Sequence, residues 1–188
     1  MTRLTTLIGT TSSPDYTSQT FYPPLAQAIG TTASVINEDT LIPFSVRKTV
    51  TVDKVAWWRD NTTAGNAYVG IYNTAGTLLT DCAVDSNTTV GLHAVDTTNV
   101  TLLPGRIYYL SANLSVDIAA TVDGTPAGGM TQLDVFGANL GLGVAPVAST
   151  SLTVFAAKAR SNAALPSTQT MSGWTGTRYA PYMGWISA

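Results

Sequence analysis

The sequence predicts an all-β protein built from antiparallel strands in a sandwich or a barrel. From Val52 to Leu114, short apolar or aromatic runs alternate with turn clusters roughly every eight to fifteen residues, as in strands joined by tight turns. Apolar residues in this stretch do not recur with a helical period. With 188 residues, the chain is long enough for one such domain with its own core.

In the first part of the chain, apolar residues follow neither the period of a helix nor the alternation of a strand. Pro23 and Pro24 interrupt any strand or helix near them. Disordered tails are usually poor in large apolar residues, whereas this segment contains several. We therefore expect an extended N-terminal arm over residues 1–32, lying along the domain or a neighbouring molecule, and a β-sandwich domain over 33–188. The candidate contact residues of the arm are Leu7, Ile8, Phe21 and Tyr22.

Turn residues and apolar runs together place the strands. Asn73–Gly76 predicts a hairpin turn, with Gly76 where a positive φ is needed. The predicted strands are Ala33–Ile36, Leu41–Val46, Thr49–Val52, Ala67–Tyr72, Leu78–Thr80, Val90–Val95, Val100–Leu103, Ile107–Leu114, Leu133–Phe136, Ser151–Ala157 and Tyr179–Ile186.

Three of these segments carry further information. The apolar alternation that ends at Val52 resumes one residue out of step at Val55, which predicts a β-bulge or a break at Asp53-Lys54. Ile107–Leu114 is apolar on nearly both faces, as a central strand covered on each side would be. Phe155–Ala164 fits a strand that runs into a loop, which we prefer, or a short Ala-rich helix.

Charged residues make up 11% of the chain, against a usual share of about 25%. Such a surface predicts burial against partner molecules, although Thr-rich exposed strand faces give a similar composition. The net charge of −2 and the nine Lys and Arg residues argue against nucleic-acid binding, which needs cations to neutralise phosphates. No apolar run reaches the roughly 18 residues of a membrane span.

The start of the chain, MTRLTTLIGTT, lacks the apolar core of a signal peptide. Cys82 is the single cysteine, so no disulfide can form within the chain. We therefore expect synthesis in a reducing cytoplasm.

Residues suited to catalysis are sparse in this sequence. His93, the one histidine, is followed by Asp96, but no Gly-x-Ser-x-Gly motif presents a nucleophile to it. Alternation with Leu92 and Ala94 predicts that the His93 side chain faces outward. Without a base beside it, Cys82 is expected to be a small, half-buried apolar residue.

The carboxylates suggest neither paired catalytic acids nor a metal site. Glu38 and Asp39 are adjacent, so on a strand they face opposite sides and cannot easily act on one substrate as in a glycosidase. No His or Cys pairing fits zinc, and no alternating acidic loop fits calcium. A calcium ion held between loops stays an alternative to solvated turn carboxylates; its candidate ligands are Asp81, Asp85, Asp117 and Asp123. We predict no catalytic residue, no cofactor and no metal.

Aromatic residues are the remaining candidates for binding. Trp57 and Trp58 are neighbours on a predicted strand, so one should face the core and the other should not. Exposed aromatic rings can stack on sugars or pack against another subunit, and burial in the core is the alternative. The candidate glycan or subunit contacts are Trp58, Trp174, Tyr179 and Trp185.

Three segments together resemble a sandwich module of tailed-bacteriophage virion proteins: VDKVAWW at 52–58, YVGIYN at 68–73 with Gly76 and TLL after it, and LLPGRIYYL at 102–110. The late Ala164-Leu165-Pro166, followed by an aromatic strand over 181–186, is also similar. The resemblance covers residues 50–115 well and 40–186 loosely. It implies a jelly-roll-like β-sandwich that serves as a structural or adhesive part of the virion, and it transfers no active-site residues.

The first hypothesis for function is a non-enzymatic structural component of a phage particle, either a capsid decoration or another head- or tail-attached protein. It would pack against copies of itself, with a trimer favoured, and against other virion proteins. The second hypothesis is a carbohydrate- or receptor-binding module of a tail fibre or spike, with a host surface glycan as its partner. An enzyme on the same scaffold is a third hypothesis.

Overall fold

The computed structural model describes residues 29–30, 36–119, 121–123, 155–177, 179–181 and 183–187. Every regular element within these ranges is a strand, which confirms the all-β prediction. The strands are β1 (Ile29–Gly30), β2 (Glu38–Ser45), β3 (Val50–Arg59), β4 (Ala67–Asn73), β5 (Leu78–Asp81), β6 (Gly91–Leu102), β7 (Ile107–Leu114), β8 (Thr121–Asp123), β9 (Phe155–Ala159), β10 (Thr175–Thr177), β11 (Tyr179–Pro181) and β12 (Met183–Ser187).

Antiparallel pairing joins these strands into three sheets. The large sheet has the order β10-β9-β2-β7-β4-β5, the small sheet has the order β12-β3-β6, and a third sheet has the order β1-β8-β11. Inward-facing residues of the large and small sheets form one hydrophobic core. The antiparallel β-sandwich is therefore confirmed, while the jelly-roll connectivity stays a prediction.

The core between the large and small sheets contains the largest apolar side chains. Trp57 of β3 and Trp185 of β12 are fully buried there, together with Leu110 of β7. Burying one such side chain stabilises a fold by about 1.5–3 kcal/mol before entropy is counted. The described residues include no helix with the length and apolar character needed to cross a membrane.

The central strand of the large sheet is β7. It lies between β2 and β4, and its residues from Tyr108 to Leu114 are all buried. Even-numbered residues face the core, whereas Tyr109 belongs to a second hydrophobic cluster on the outer face of the large sheet. The prediction of a strand covered on both sides is confirmed.

The bulge predicted in β3 is present. The register of β3 against β6 shifts between Val52 and Lys54, so that Val52 pairs with Val100 and Lys54 with Asp96. The Thr97 hydroxyl donates a hydrogen bond to the Asp53 carbonyl within the bulge, at 3.2 Å. Because of this shift, Val50 and Val52 before the bulge and Trp57 after it all face the same core, although even-numbered residues point inward before the bulge and odd-numbered residues after it.

Strand β6 differs from the prediction. Val90–Val95 and Val100–Leu103 were expected to be two strands, but Gly91–Leu102 is continuous. The strand continues because β3 pairs with it on both sides of the bulge. Hydrogen bonding to a partner strand can keep a polar stretch in strand conformation even where the apolar alternation is interrupted.

The other predicted elements are found where the structure describes the chain, except that Tyr179–Ile186, predicted as one strand, forms β11 and β12 in two different sheets. The hairpin turn forms, with Gly76 at φ 79° and its amide donating to the Asn73 carbonyl at 3.0 Å. Residues 155–159 are a strand that runs into a loop rather than a helix, and β12 pairs with β3 inside the small sheet.

Several predictions fall outside the described residues. They are the arm contacts Leu7, Ile8, Phe21 and Tyr22, the strand Leu133–Phe136, the first four residues of Ser151–Ala157, and all but the last residue of Ala33–Ile36.

Candidate functional site

The paired tryptophans of β3 divide as predicted. Trp57 is 1% exposed in the core, whereas Trp58 is 38% exposed on the outer face of the small sheet. Trp58 therefore keeps an accessible ring, as a glycan or subunit contact needs.

Two other candidate contacts need correction. Trp185 is 1% exposed and packs against Phe44 in the sandwich core, with ring centroids 6.2 Å apart. Trp174 is 3% exposed and donates from Nε1 to the Thr170 carbonyl at 3.0 Å. Neither ring is accessible to a sugar or a second subunit in this structure. For Tyr179, the described feature is its backbone, which pairs with Asp123 of β8.

Trp58 belongs to an exposed apolar surface on the small sheet. In the β3–β6 register Trp58 lies opposite Leu92, which is 46% exposed. Ala94 shares the outward side of β6, and Val90 is exposed just before the strand. We call Trp58, Val90, Leu92 and Ala94 the outer apolar surface.

The charged pair beside this surface is Lys54 and Asp96, which are also opposite one another in the register. The Lys54 ammonium donates a hydrogen bond to the Asp96 carboxylate. This contact raises the pKa of Lys54 above its ordinary value. The two charges compensate one another within the sheet, so the surface next to them carries little net charge.

The inner side of the same strands holds a buried polar network. His93 is 7% exposed, so the prediction of an outward side chain is wrong. His93 Nδ1 lies 2.6 Å from Asp85 Oδ2, and the Trp57 indole donates to the same oxygen at 2.9 Å. The parity change at the bulge, together with the Trp57–His93 register, puts His93 inside and Leu92 outside.

Asp85 receives several hydrogen bonds in this network. Besides the contacts with His93 and Trp57, its Oδ1 accepts from the Asn87 amide at 3.0 Å. Burial by itself raises the pKa of Asp85, but these hydrogen bonds outweigh burial, and the pKa lies below its ordinary value. Asp85 is therefore held as a carboxylate.

Arg59 adds a buried cation near this carboxylate. Its guanidinium donates to the carbonyls of Asn61 and Thr63 and lies 5.8 Å from the centre of the Trp57 ring. Burial lowers the pKa of Arg59, and the charge of Asp85 opposes that effect. Because every one of these groups is enclosed by neighbours, the network is suited to holding loops in place.

A second buried polar cluster lies on the outer face of the large sheet, beneath residues 160–174. We call this segment the strap. The Asp39 carboxylate accepts hydrogen bonds from Arg160 Nε and Gln169 Nε2, both at 2.6 Å, and from Asn113 Nδ2 at 3.0 Å. Asn162 donates to the Asn113 side chain at 2.9 Å. Asp39 thus connects the sheet to the strap at its first residue, Arg160, and again at Gln169.

Apolar contacts and a tyrosine hydroxyl hold the middle and the end of the strap. Leu165 and Trp174 pack with Tyr72 and Tyr109 in the second hydrophobic cluster. The Tyr72 hydroxyl donates to the Pro166 carbonyl at 2.8 Å. Burial, reinforced by the charge of Asp39, raises the pKa of Tyr72, so this hydroxyl remains a neutral donor.

The strap also pairs with the β4–β5 hairpin, and this contact leads to a prediction about Gly76. The Gln169 amide donates to the Gly76 carbonyl at 2.7 Å, and a Cβ on Gly76 would lie 2.0 Å from the Gln169 oxygen. Gly76→Ala should lower the free energy of unfolding by about 2–3 kcal/mol, because the strap must move and a positive φ is strained.

Gly105→Ala is the matched control, to be measured by urea denaturation beside Gly76→Ala. Gly105 has φ 74° as well, but a Cβ there would meet no atom within 4 Å. Gly105→Ala should lower the free energy of unfolding by about 1 kcal/mol, from backbone strain alone. Equal losses in the two variants would contradict a clash between the hairpin and the strap.

The cysteine and the carboxylates considered from the sequence have no catalytic arrangement in the part of the chain that the structure describes. Cys82 is buried, and burial raises the pKa of its thiol to about 11, as expected for an apolar rather than a nucleophilic cysteine. Glu38 and Asp39 lie on opposite faces of β2, and the strap covers Asp39. Across the described ranges, no three His, Cys, Asp or Glu side chains group as a metal site would require.

Comparison with family models, curated proteins and solved structures finds no match for this chain. The similarity to phage virion modules therefore stays a prediction from the sequence segments named above.

Proposed function

We propose that the chain is a non-enzymatic structural subunit of a phage particle, a capsid decoration or another head- or tail-attached protein. It acts by packing against copies of itself, in a trimer, and against other virion proteins. The observation that carries this proposal is the outer apolar surface, where Trp58 and Leu92 lie opposite one another and are both exposed. Exposed apolar residues that adjoin one another are typical of protein interaction sites.

The position of this surface supports packing between subunits. It lies on the small sheet, whose strands are fixed by the core on their other side through Trp57 and Trp185. A rigid, pre-formed face loses little conformational entropy when it binds. The Lys54–Asp96 pair leaves little net charge to repel an identical face. A second copy of the chain is thus a suitable partner, and a trimer with this surface at its three-fold axis would cover it on every subunit.

The buried networks also support a structural role. The groups best suited to acid–base chemistry, Asp39, Asp85 and His93, are buried and bonded to neighbouring strands and loops. Asp39 and Asp85 connect strands and loops that are distant in sequence, and His93 joins the end of a loop to β6. Their positions favour rigidity of the sandwich over contact with a substrate.

Self-association gives a direct test of the proposal. The purified chain should have the mass of an oligomer in size-exclusion chromatography with light scattering. Leu92→Lys should shift it to a monomer, because a charge at the centre of an apolar interface costs several kcal/mol to bury. Circular dichroism would show that the variant keeps its fold.

Thr74→Lys is the control for this experiment. Thr74 is exposed in the hairpin turn between β4 and β5, away from the outer apolar surface, and the variant should keep the mass of the wild-type chain. A wild-type chain that is monomeric at all concentrations, or equal dissociation by both lysine variants, would contradict packing through this surface.

Trp58 also supports the second candidate function, binding of a host surface glycan. Its ring is exposed, as stacking on a sugar requires. Among the predicted glycan contacts whose side chains the structure describes, Trp58 is the one with an accessible ring. Wild type and Trp58→Ala should be compared on a glycan array. Binding that the variant loses would favour the glycan-binding module, and absence of binding by the wild type would favour the structural subunit.

A further inference from the structure

Residues 85–90 are the second part of the connection between β5 and β6; this 85–90 loop is exposed along its tip but held by buried groups. At its base, Asp85 and Ala67 exchange two backbone hydrogen bonds of 2.8 and 2.9 Å. Towards its tip, the Asn87 amide binds the Asp85 carboxylate and the Thr89 amide binds the Asn87 side chain, each at 3.0 Å. The contact between this tip and β6 is made by His93, whose Nε2 lies 2.6 Å from the Thr89 carbonyl oxygen.

Both ring nitrogens of His93 face acceptors. The Asp85 carboxylate lies at Nδ1, and the Thr89 carbonyl oxygen, which has no proton to give, lies at Nε2. A neutral imidazole carries one N–H group and so can donate to one of these oxygens. The two contacts of 2.6 Å are both hydrogen bonds when the ring is an imidazolium with two donors.

We propose that His93 is a pH-dependent lock for the 85–90 loop, which the imidazolium holds on the small sheet and which the neutral ring releases. When the ring loses a proton, the one that remains stays with the Asp85 carboxylate, since a charged acceptor forms the stronger hydrogen bond. The lone pair of Nε2 then faces the Thr89 oxygen and repels it. The Thr89 end of the loop loses its contact with β6, while the Ala67–Asp85 bonds keep the base in place. This inference does not depend on the proposed function.

Several charged groups lie on the elements that pack around His93. Asp85 is the carboxylate in contact, Arg59 on β3 is the nearby cation, and Asp96 points to the outer face with Lys54. The pKa of Asp85 lies below its ordinary value of 3.8. The stability that the Asp85 carboxylate gives the folded protein is therefore fully present above pH 3.8, and it is lost as the pH falls through the lowered pKa. The Asp85 carboxylate that accepts from Nδ1 is therefore charged throughout the range from about pH 5 to 8 over which the lock can be tested.

NMR can observe this lock without ambiguity, because His93 is the one histidine in the chain. In the wild-type protein at pH 5, both ring nitrogens should show the ¹⁵N shifts of a protonated imidazole. As the pH rises to 8, Nε2 should lose its proton while Nδ1 keeps its own. A ring that carries a single proton at pH 5 while the loop is still held would overturn the proposal.

Hydrogen exchange measures the loop itself. After correction for the intrinsic pH dependence, amide exchange at Asn87 and Thr89 should increase at least about tenfold between pH 5 and 8, as for local opening. The amides of β7, in the centre of the large sheet, are the internal reference and should keep their protection. Loop exchange that does not change with pH, or that changes in parallel with β7, would also overturn the proposal.

His93→Gln provides the matched variant, since glutamine can donate a hydrogen bond but does not titrate in this range. Corrected loop exchange in this variant should be independent of pH. A persistent pH dependence would show that another group controls the loop. If the variant does not fold, the ring-nitrogen and exchange measurements on the wild type still decide the question.

Discussion

Replacing Trp57 with alanine should lower the free energy of unfolding by about 3–5 kcal/mol, a large part of the 5–15 kcal/mol typical of a single domain. The ring is fully buried between the sheets, and its indole nitrogen donates to Asp85. Alanine therefore leaves a cavity and removes one hydrogen bond from a buried carboxylate. Equilibrium denaturation in urea, followed by circular dichroism, measures the loss.

Trp58→Ala is the natural control because Trp58 is the next residue on the same strand. Its exposed ring should make the loss about 1 kcal/mol or less. Trp57→Phe separates the two effects at Trp57, since phenylalanine keeps most of the packing but cannot donate, and it should cost about 1–2 kcal/mol. Similar losses for Trp57→Ala and Trp58→Ala would contradict the assignment of one ring to the core and the other to the surface.

Replacing Asp39 with alanine should lower the free energy of unfolding by about 3 kcal/mol. Three donors, from Arg160, Gln169 and Asn113, converge on this carboxylate beneath the strap. Without it, Arg160 Nε and Gln169 Nε2 lose this acceptor, and Asn113 Nδ2 keeps only a 3.4 Å contact with the Arg160 carbonyl. The value lies at the lower end of the usual range for breaking such a pair, because Arg160 keeps a quarter of its side chain in contact with solvent.

Glu38 supplies the matched control for Asp39. It is the preceding residue of β2, and burial raises the pKa of its carboxyl, so its negative charge opposes folding rather than supporting it. Glu38→Ala should cost less than about 1 kcal/mol. Limited proteolysis gives a second measurement, since loss of Asp39 should expose the strap to cleavage before the sandwich unfolds. Resistance of Asp39→Ala to both urea and protease would show that the cluster does not hold the strap.

Local patterns predicted much of the small sheet and the hairpin. The change of parity after Val52 located the bulge, and Asn73–Gly76 located the turn, because both depend on neighbouring residues. The division between Trp57 and Trp58 followed from alternation alone. The same reasoning failed for His93, because the inward side of β6 changes across the bulge and its parity depends on the register with β3.

The polar clusters were beyond such patterns. Asp85 and His93 are eight residues apart, but the interaction depends on a loop that folds back over β6. Asp39 and Gln169 are separated by 130 positions, and nothing near either residue indicates the other. A short polar side chain finds its buried hydrogen-bond partner only when strands that are distant in sequence pack together. The residues next to it in the chain do not indicate which partner that is.

The sequence alone determined that this protein is an all-β sandwich and where its bulge and hairpin turn lie. Strand formation and turns depend on residues close together in the chain, so they can be inferred from it. The tertiary structure decided which aromatic rings are exposed, which way His93 faces, and what Asp39 holds. Burial and hydrogen-bond partners arise when strands far apart in sequence pack together, and only the folded chain brings those atoms into contact.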